Sequence, residues 1–350
     1  MADAVCIRAP NWVGDVVMAT PAFRAVREGL PQARITLVIR RGVEPIVRGA
    51  PWFDETIVYD PDGRWAPREF FRCVGALRAG EHDLGLLLPN SFSSALMFRL
   101  ARVRRRVGYR RDCRSLLLTD AIERPSEDGR FKPTYMVDYY LVLCERAGIP
   151  PAGRAMELPF TDADAERAEG ILTRAGIVPG GPLFLLHPGA GYGPSKRWPN
   201  ERFARLAELL HEEYGAQMAL VAGPVEASNA AAIRAASRVQ IADLTNCGID
   251  LHLLKCVVAR SSLLVTTDSG PRHYGVALGV PTVCVMGPTH PDYSTSALPN
   301  DVVVRLDVEC GPCQLKECPR DHRCMDEISA EAVLDACRGA METVSGAATP

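Results

Sequence analysis

The sequence lacks several features that mark whole classes of protein. No apolar run approaches the roughly 20 residues that a membrane-spanning helix needs. Neither charge sign is in excess, since 40 lysines and arginines stand against 42 aspartates and glutamates, which argues against a nucleic-acid binder. The start, MADAVCIRAP, has no basic region before an apolar one, so it predicts a first strand and not a signal peptide. We therefore expect a cytoplasmic protein that binds no nucleic acid.

Two common nucleotide-binding sequences are also missing. No Gly-x-x-x-x-Gly-Lys-Ser/Thr run is present, which excludes a P-loop nucleotidase. No Gly-x-Gly-x-x-Gly fingerprint opens either half, which argues against a dehydrogenase.

What the sequence does contain is an alternation of short apolar runs and amphipathic segments. Strands are predicted at residues 4–9, 35–39, 56–59 and 84–88, and again at 183–186, 218–222, 262–267 and 281–286. Helical segments separate them, and a Pro/Gly-rich stretch at 148–153 divides the two series. The pattern predicts an α/β protein with doubly wound parallel sheets in two domains, residues 1–155 and 156–345.

The stretch at 265–288 reads as a strand, a loop, a short helix and a second strand. Asp268 breaks the first strand, Ser269 and Gly270 are available to cap, and Pro271 suits the first helical position. A helix N-terminus above the carboxyl edge of a parallel sheet suits a phosphate group. An ordinary capped turn between two strands is the alternative.

Three other positions each allow two interpretations. Asp15 follows the first strand and is either the N-cap of a helix or a general base at the edge of the sheet. Lys196 lies in a glycine-rich loop at 187–199 that suits an anion, although a long surface loop with solvated basic residues is the alternative. Glu226 is either a first-turn acid or an acceptor of ribose hydrogen bonds.

Eight arginines crowd into residues 99–114, opposed only by Asp112. They are Arg99, Arg102, Arg104, Arg105, Arg106, Arg110, Arg111 and Arg114. Such a run is either a solvated face or a surface for an anionic partner, such as a phosphorylated glycolipid or an acidic membrane surface.

Four of the twelve cysteines cluster near the end of the chain, at Cys310, Cys313, Cys318 and Cys324. This spacing is compatible with a structural zinc ion or an iron–sulfur cluster bound by the four cysteines. Reduced structural cysteines or a redox-dependent pair are the alternatives.

Four motifs, in order and with matching spacing, resemble those of the lipopolysaccharide heptosyltransferases, most of all the heptosyltransferase II group. They are NWVGD at 11–15, SKRWP at 195–199, GPVE at 223–226 and DSGPRH at 268–273. The Cys-x-x-Cys loop points the same way, and the resemblance covers nearly the whole chain.

The resemblance implies a GT-B fold, with two Rossmann-like domains facing across a cleft, the acceptor on the first and the nucleotide sugar on the second. It implies inverting transfer of L-glycero-D-manno-heptose from ADP-heptose to the phosphorylated inner core of lipid A, without a catalytic metal. It is compatible with peripheral contact with the anionic cytoplasmic face of the inner membrane.

The resemblance also assigns roles to individual residues. Asp15 becomes the candidate general base, and Lys196 becomes the cation that neutralises the departing ADP. The candidate donor-binding residues are Glu226 at the ribose, Asp268, Ser269, Gly270 and His273. The candidate acceptor-binding residues are Asn11, Arg105, Arg110 and Arg111.

The chain departs from the family pattern at Ser269, where threonine is common, and at Arg272 and Tyr274, which are bulkier and more polar than usual. Because of Arg272 and Tyr274, the resemblance does not decide which sugar the protein accepts. Three other functions stay open: a nucleotide-sugar 2-epimerase on the same scaffold, a non-catalytic nucleotide-sugar or lipid A binding module, and a heptosyltransferase that uses a different acceptor.

Overall fold

The computed structural model describes residues 2–61 and 66–347. Contacts divide the chain into two compact units, Met1–Pro159 and Phe160–Pro350, hereafter the N-terminal and C-terminal units.

The N-terminal unit is built on a parallel sheet. Its strands are β1 (Ala4–Arg8), β2 (Arg34–Arg40), β3 (Glu55–Tyr59), β4 (Leu84–Leu87), β5 (Arg105–Tyr109) and β6 (Asp120–Ile122), and a small antiparallel ribbon follows, β7 (Ser126–Glu127) and β8 (Arg130–Phe131). The helices are α1 (Val13–Met18), α2 (Thr20–Gly29), α3 (Pro67–Ala79), α4 (Phe92–Leu100) and α5 (Met136–Ala147), with 3₁₀ helices at Arg41–Val47 and Arg114–Leu117. The strand order is β3-β2-β1-β4-β5-β6.

The C-terminal unit repeats this plan. Its strands are β9 (Leu183–His187), β10 (Gln217–Leu220), β11 (Ile241–Asp243), β12 (Leu263–Thr267), β13 (Thr282–Val285) and β14 (Asp301–Val304). Its helices are α6 (Asp162–Arg174), α7 (Asn200–Tyr214), α8 (Ala227–Ala236), α9 (Leu253–Arg260), α10 (Gly270–Ala277), α11 (Arg323–Asp326) and α12 (Ala330–Ala347), with 3₁₀ helices at Pro194–Lys196, Pro224–Glu226 and Pro291–Tyr293. The strand order is β11-β10-β9-β12-β13-β14, all parallel.

Continuous apolar strands explain why both sheets are parallel and covered. In β9 and β12 every residue is buried, as expected for strands that helices cover on both faces. Leu186, Val265 and Val283 from three adjacent strands share one core with Leu206 of α7 and Val333 of α12. The prediction of two doubly wound parallel sheets is confirmed.

The strand order reverses between β1 and β4 in one sheet and between β9 and β12 in the other. Ligands of open α/β sheets bind beyond the carboxyl ends of the strands at this reversal. The loops that follow β1, β4, β9 and β12 are therefore the places to look for a site. None of the described helices combines the length and the apolar character that a membrane crossing requires.

The structure divides the arginine run between buried and exposed positions. Residues 105–109 form β5, and two of the arginines are buried side chains that satisfy backbone carbonyls. Arg106 Nε donates to the Leu117 carbonyl at 2.7 Å. Arg114, fully buried, donates from Nε to the Tyr109 carbonyl at 2.8 Å. The eight arginines therefore do not form one charged face, because hydrogen bonds to backbone carbonyls hold Arg106 and Arg114 in the interior.

Candidate active site

The carboxyl edge of the C-terminal sheet holds a nearly buried ion pair. Lys196 ends the 3₁₀ helix after β9, and Asp268 directly follows β12, which is hydrogen-bonded to β9. Lys196 Nζ donates to Asp268 Oδ2 at 2.6 Å and to the Asp268 carbonyl oxygen at 2.9 Å. The two side chains are only 12% and 9% exposed. The pairing of adjacent strands thus makes direct partners of two predicted site residues that lie 72 positions apart.

Both carboxylate oxygens of Asp268 are engaged by the protein. Thr289 Oγ1 donates to Oδ2 at 2.6 Å, Ser294 Oγ donates to Oδ1 at 3.2 Å, and Arg272 Nη1 lies 3.5 Å from Oδ1. Burial acts to raise the pKa of Asp268, but the charges of Lys196 and Arg272 outweigh it and hold that pKa well below its usual range. Asp268 therefore stays ionised, in a position that holds the Lys196 ammonium group.

Arg272 ties this pair to the edge strand β14. Its guanidinium is fully buried, with Nε donating to Asp301 Oδ1 at 2.9 Å and Nη1 donating to Ser294 Oγ at 3.1 Å. Tyr274 is equally buried, and its hydroxyl donates to the Leu251 carbonyl at 3.0 Å. Both side chains are therefore buried and bonded within the protein in spite of their bulk and polarity.

Helix α10 begins at the same edge. Ser269 is the N-cap residue in extended backbone conformation, and Gly270 and Pro271 open the helix. The Ser269 side chain makes no cap hydrogen bond, and its Oγ lies 3.1 Å from Thr266 Oγ1 instead. The predicted phosphate-binding helix start therefore lies one residue beyond the Lys196–Asp268 pair.

Two buried imidazoles lie close to this pair in the fold. His187 is the last residue of β9, and its Nδ1 accepts a hydrogen bond from the Gly189 N–H at 3.1 Å. His273 is in the first turns of α10, and its buried Nδ1 has no hydrogen-bond partner among the described residues. Burial lowers the pKa of each to about 4, and the charge of Arg272 adds to the shift of His273. Both imidazoles are therefore neutral at pH 7, and His273 offers an unsatisfied nitrogen.

These imidazoles predict that the C-terminal unit loses stability in mild acid. An unfolded histidine has a pKa near 6.5, so between about pH 6.5 and pH 4 the unfolded unit binds about two more protons than the folded one. The free energy of unfolding should therefore fall by about 2.7 kcal/mol for each pH unit toward acid in that window, and level off above it. Urea unfolding at several pH values measures this slope.

His273→Gln is the matched variant, because it removes one of the two titrations. It should reduce the slope to about half. A free energy of unfolding that stays constant between pH 6.5 and 4.5 in the wild-type protein would contradict the buried neutral imidazoles.

Glu226 lies beyond β10, the next strand along the same edge. Its Oε2 accepts a hydrogen bond from the Gly223 N–H at 3.0 Å, so the carboxylate shapes its own 3₁₀ helix. A Cβ at Gly223 would lie 2.9 Å from Glu226 Oε2, so a larger residue there would displace the carboxylate.

A loop carrying the clustered cysteines packs against the Lys196 loop. The Ser195 N–H and Oγ donate to the carbonyls of Lys316 and Leu315, at 3.0 and 2.6 Å. His322 Nε2 lies 2.8 Å from the Ser195 carbonyl oxygen, to which it donates. Sequence reasoning did not anticipate this role. The cysteine loop braces the residue that immediately precedes Lys196.

The four cysteines themselves do not form the predicted metal site. All are free thiols, and no three His, Cys, Asp or Glu side chains come together as metal ligands within residues 2–61 and 66–347. Burial raises the pKa of Cys324 to about 11, with further contributions from Cys318, Cys310 and Cys313. Those three thiols raise the pKa of Cys324 because they lie close enough to disfavour a further negative charge.

In the N-terminal unit, Asp15 is the third residue of α1 and not its cap. Trp12 occupies the N-cap position in extended conformation, so the N-cap interpretation of Asp15 is wrong. The loop before it is fixed by the buried Arg8, whose Nη2 donates to Asn11 Oδ1 at 2.7 Å. Burial raises the pKa of Tyr140 and the charge of Asp15 adds to the shift, which places that carboxylate near the Tyr140 ring.

The predicted acceptor arginines divide between the two edges of the sheet. Arg105 begins β5 and pairs with Asp120 at 2.9 Å, at the edge opposite the end of β1. Arg110 and Arg111 follow the last residue of β5 and lie at the carboxyl edge, with side chains 54% and 51% exposed. The structure thus separates Arg105 from Asp15 and keeps Arg110 and Arg111 on the same edge.

Sequence reasoning missed four residues of the C-terminal site. They are His187, Thr289, Ser294 and Asp301. Thr289 and Ser294 come shortly after β13, the neighbour of β12, so the rule that carboxyl ends meet at one edge was a usable signal for both.

The chain is similar to a family of known proteins. A family model described as glycosyltransferase family 9 (heptosyltransferase) matches residues 70–323. The lipopolysaccharide heptosyltransferase 2 of Salmonella typhimurium is 30% identical over 311 residues, which are 86% of this chain and 88% of that protein. The Escherichia coli K12 protein of the same name is 30% identical over 312 residues, with the same two shares.

Two solved structures are similar to this chain over almost its whole length. The E. coli ADP-heptose lipopolysaccharide heptosyltransferase II is similar with a TM-score of 0.81 and 25% identity, over 98% of this chain and 99% of that one. A family 9 glycosyltransferase from Veillonella parvula has a TM-score of 0.82 at 21% identity, over 97% of each chain, and so supports the fold.

Proposed function

The chain belongs to glycosyltransferase family 9, the heptosyltransferases, and from this premise we propose that it transfers L-glycero-D-manno-heptose from ADP-heptose to the inner-core oligosaccharide on lipid A. Support comes from the relatives named above, which are lipopolysaccharide heptosyltransferases by name, one of them with ADP-heptose in its name. We propose further that the N-terminal unit binds the acceptor and the C-terminal unit binds the nucleotide sugar.

One observation carries the proposal: a lysine ammonium group held by a nearly buried aspartate where the second sheet reverses its strand order. When the bond between the anomeric carbon and the diphosphate oxygen breaks, negative charge develops on the departing ADP. A cation already fixed beside that oxygen stabilises the charge without reorganising. Asp268, with both oxygens engaged by protein, positions Lys196 instead of contacting the donor.

The other proposed donor contacts lie at the same carboxyl edge of the C-terminal sheet. In the proposal the N–H groups at Ser269 and Gly270 bind the diphosphate, as helix starts do. The unsatisfied His273 Nδ1 accepts a hydrogen bond from a donor hydroxyl, because an uncharged imidazole nitrogen is an acceptor. Glu226 accepts from the ribose hydroxyls.

The chemical step requires a base in the acceptor half. In the proposal Asp15 takes the proton from the acceptor hydroxyl as that oxygen attacks the anomeric carbon. One bond forms and the bond to ADP breaks on the opposite face, so the configuration inverts. Asn11, Arg110 and Arg111 remain proposed acceptor contacts, whereas Arg105 leaves the set because it lies at the other edge.

We propose that this transfer needs no metal, because Lys196 supplies the positive charge at the leaving group. A zinc ion or an iron–sulfur cluster at the cysteine loop is not part of the proposal, since those thiols do not form a ligand set. The proposed location is the cytoplasm, with peripheral contact with the cytoplasmic face of the inner membrane.

The deciding experiment supplies the purified enzyme with ADP-heptose and a heptose-bearing inner-core lipid A, with UDP-N-acetylglucosamine in parallel. We expect release of ADP that depends on the acceptor and persists in EDTA. Loss of activity in EDTA that magnesium restores would overturn the metal-free mechanism. Epimerisation of UDP-N-acetylglucosamine without ADP release would replace the proposal by an isomerase. Release of ADP only with a different acceptor would support ADP-heptose as the donor and would replace the inner-core oligosaccharide as the acceptor.

Lys196→Met should lower kcat by about 10²–10³-fold, the usual effect of removing one preorganised group that stabilises transition-state charge. Steady-state ADP release measures it. Lys316→Met is the matched control, because Lys316 Nζ lies 5.8 Å from the same Tyr192 ring that Lys196 approaches at 5.0 Å. Equal losses in the two variants would show that general positive charge, and not the fixed ammonium group, matters.

A further inference from the structure

The cysteine loop, residues 305–322, joins β14 to α11 and is anchored at both ends. Near its start Leu306 and Val308 pack against the core of the C-terminal unit, and just beyond its end Met325 is fully buried in the same core. Residues 309–322, between these anchors, form neither helix nor strand. The middle of the loop can therefore change shape while its two ends stay in place.

The middle of the cysteine loop holds the segment that carries Lys196. Three successive carbonyls, those of residues 314–316, accept hydrogen bonds from Tyr192 and Ser195. The Tyr192 hydroxyl donates to the first carbonyl at 2.6 Å, and the two Ser195 bonds described above go to the other two. A Cβ at Gly193 would lie 2.5 Å from the last of these carbonyl oxygens, so the two segments are in direct contact. A shift of residues 314–316 would therefore displace the segment that carries Lys196.

Cys310 and Cys313 directly precede these three carbonyls. The chain turns where the Gly311 N–H donates to the Val308 carbonyl at 2.9 Å, and it bends again at Pro312. These two changes of direction bring the flanking cysteines toward each other. Two intervening residues is also the spacing of thiols that form reversible disulfides. Both thiols are free and partly exposed, so a reagent in solution can reach them.

The other two cysteines of the cluster are less suited to such a bond. Cys324 is buried, and a Cβ at Gly287 would lie 2.8 Å from its Sγ, which leaves little room for a reagent. Cys318 is partly exposed, but it follows the three carbonyls and is separated from Cys313 by residues 314–317. One pair in the cluster is therefore both accessible and closely spaced, and Cys318 provides a matched control for it.

We propose that Cys310 and Cys313 form a reversible disulfide that controls the position of Lys196. The dithiol form holds residues 192–195 as described above. The disulfide form pulls Cys313 toward Cys310, draws residues 314–316 with it and releases Ser195. The inference rests on the proposed function in one respect, that Lys196 stabilises the charge on the departing ADP. The bond and the displacement of the loop do not depend on it.

The oxidant is a low-molecular-weight disulfide. The thiolate of one cysteine attacks a sulfur atom of that disulfide, forms a mixed disulfide and releases one thiol. The second cysteine then attacks the mixed disulfide, forms the Cys310–Cys313 bond and displaces the second thiol. Two cysteine thiols are thereby oxidised, one small disulfide is reduced to two thiols, and the two protons end on the released thiols.

Treatment of the full-length protein with oxidised or reduced glutathione tests the proposal without any transfer reaction. Peptide mass mapping should find a Cys310–Cys313 bond after oxidised glutathione, and reduced glutathione should reverse it. Hydrogen exchange of the Ser195 amide should accelerate by about tenfold or more in the oxidised protein, because this N–H loses its acceptor carbonyl. In the transfer assay, ADP release should fall by about tenfold or more, since a small misplacement of a catalytic group is costly.

Cys310→Ser/Cys313→Ser should keep the exchange rate and the turnover of the reduced wild-type protein and should not respond to oxidised glutathione. Cys318→Ser should respond as the wild type does. Failure of the Cys310–Cys313 bond to form would overturn the proposal, and so would a response that Cys318→Ser abolishes. A zinc or iron ion retained by the four thiols of the purified protein would replace the disulfide by a metal site. Circular dichroism confirms that each variant is folded.

Failure of the disulfide control and failure of the proposed function give different results. Faster exchange of the Ser195 amide on oxidation, in a protein that releases no ADP from ADP-heptose, would retain the control of this loop and reject the function. A Cys310–Cys313 bond that forms without changing that exchange rate would reject the control, whatever the activity. Equal turnover of the oxidised and reduced protein would show that the bond does not govern Lys196.

Discussion

Asp15→Asn should lower kcat by about 10²–10⁴-fold while leaving the affinity for ADP-heptose near that of the wild type. The change keeps the size of the side chain and the third position of α1, but removes the group that can take a proton. Donor affinity should survive because every donor contact proposed above belongs to the C-terminal unit. Single-turnover transfer and calorimetric titration of the donor separate the two quantities.

Asp112→Asn supplies the control. Asp112 is an exposed carboxylate near the carboxyl edge, paired with Arg111 at 3.5 Å, and its loss should leave turnover within about twofold of wild type. Undiminished turnover in Asp15→Asn would remove Asp15 as the base. A parallel loss of donor affinity would indicate a binding role instead.

Arg272→Met should lower the free energy of unfolding of the C-terminal unit by about 3–5 kcal/mol, as expected when one member of a buried ion pair is removed. Asp301 is only 1% exposed in its side chain, and Asp268 only 9%, so both carboxylates would lose a buried cation. Urea unfolding followed by circular dichroism measures the change.

Arg323→Met is the surface counterpart, since the side chains of Arg323 and Asp321 are 55% and 50% exposed. Its effect on the free energy of unfolding should be much smaller, because an exposed ion pair contributes little to stability. The double variant Arg272→Met/Asp301→Asn should recover part of the loss, because the second change removes one of the uncompensated charges. Equal costs for the buried and the surface arginine would contradict the buried network.

The core strands were predictable because their sequences are short and continuously apolar. The run at 263–267 can be buried on both faces only in a parallel sheet that helices cover, and that is where β12 lies. The strand at 105–109 was not predictable in the same way, since it begins with two arginines. Arg106 is buried only because backbone carbonyls from residues 103, 104 and 117 accept its protons, and local sequence does not reveal that arrangement.

The candidate site shows a similar division. Lys196, Asp268 and Ser269 were indicated by motif and by position after predicted strands, and the structure brings the first two within 2.6 Å. The part played by Asp268 required coordinates, because only they show that Lys196, Thr289 and Ser294 occupy both of its oxygens. The N-cap alternative for Asp15 failed for a local reason, since α1 starts one turn earlier than the loop sequence suggested.

Both units use the same strand order, and in both the proposed site lies in loops that follow the first and fourth strands of the unit. Each unit also has contacts enough to form a compact body of its own. Selection can therefore change one substrate preference without disturbing the other: substitutions in the loops after β1, β4 and β5 leave the loops after β9 and β12 intact. We expect members of the family to diverge in acceptor choice by drift confined to the first unit, while the lysine and aspartate of the second unit are inherited together.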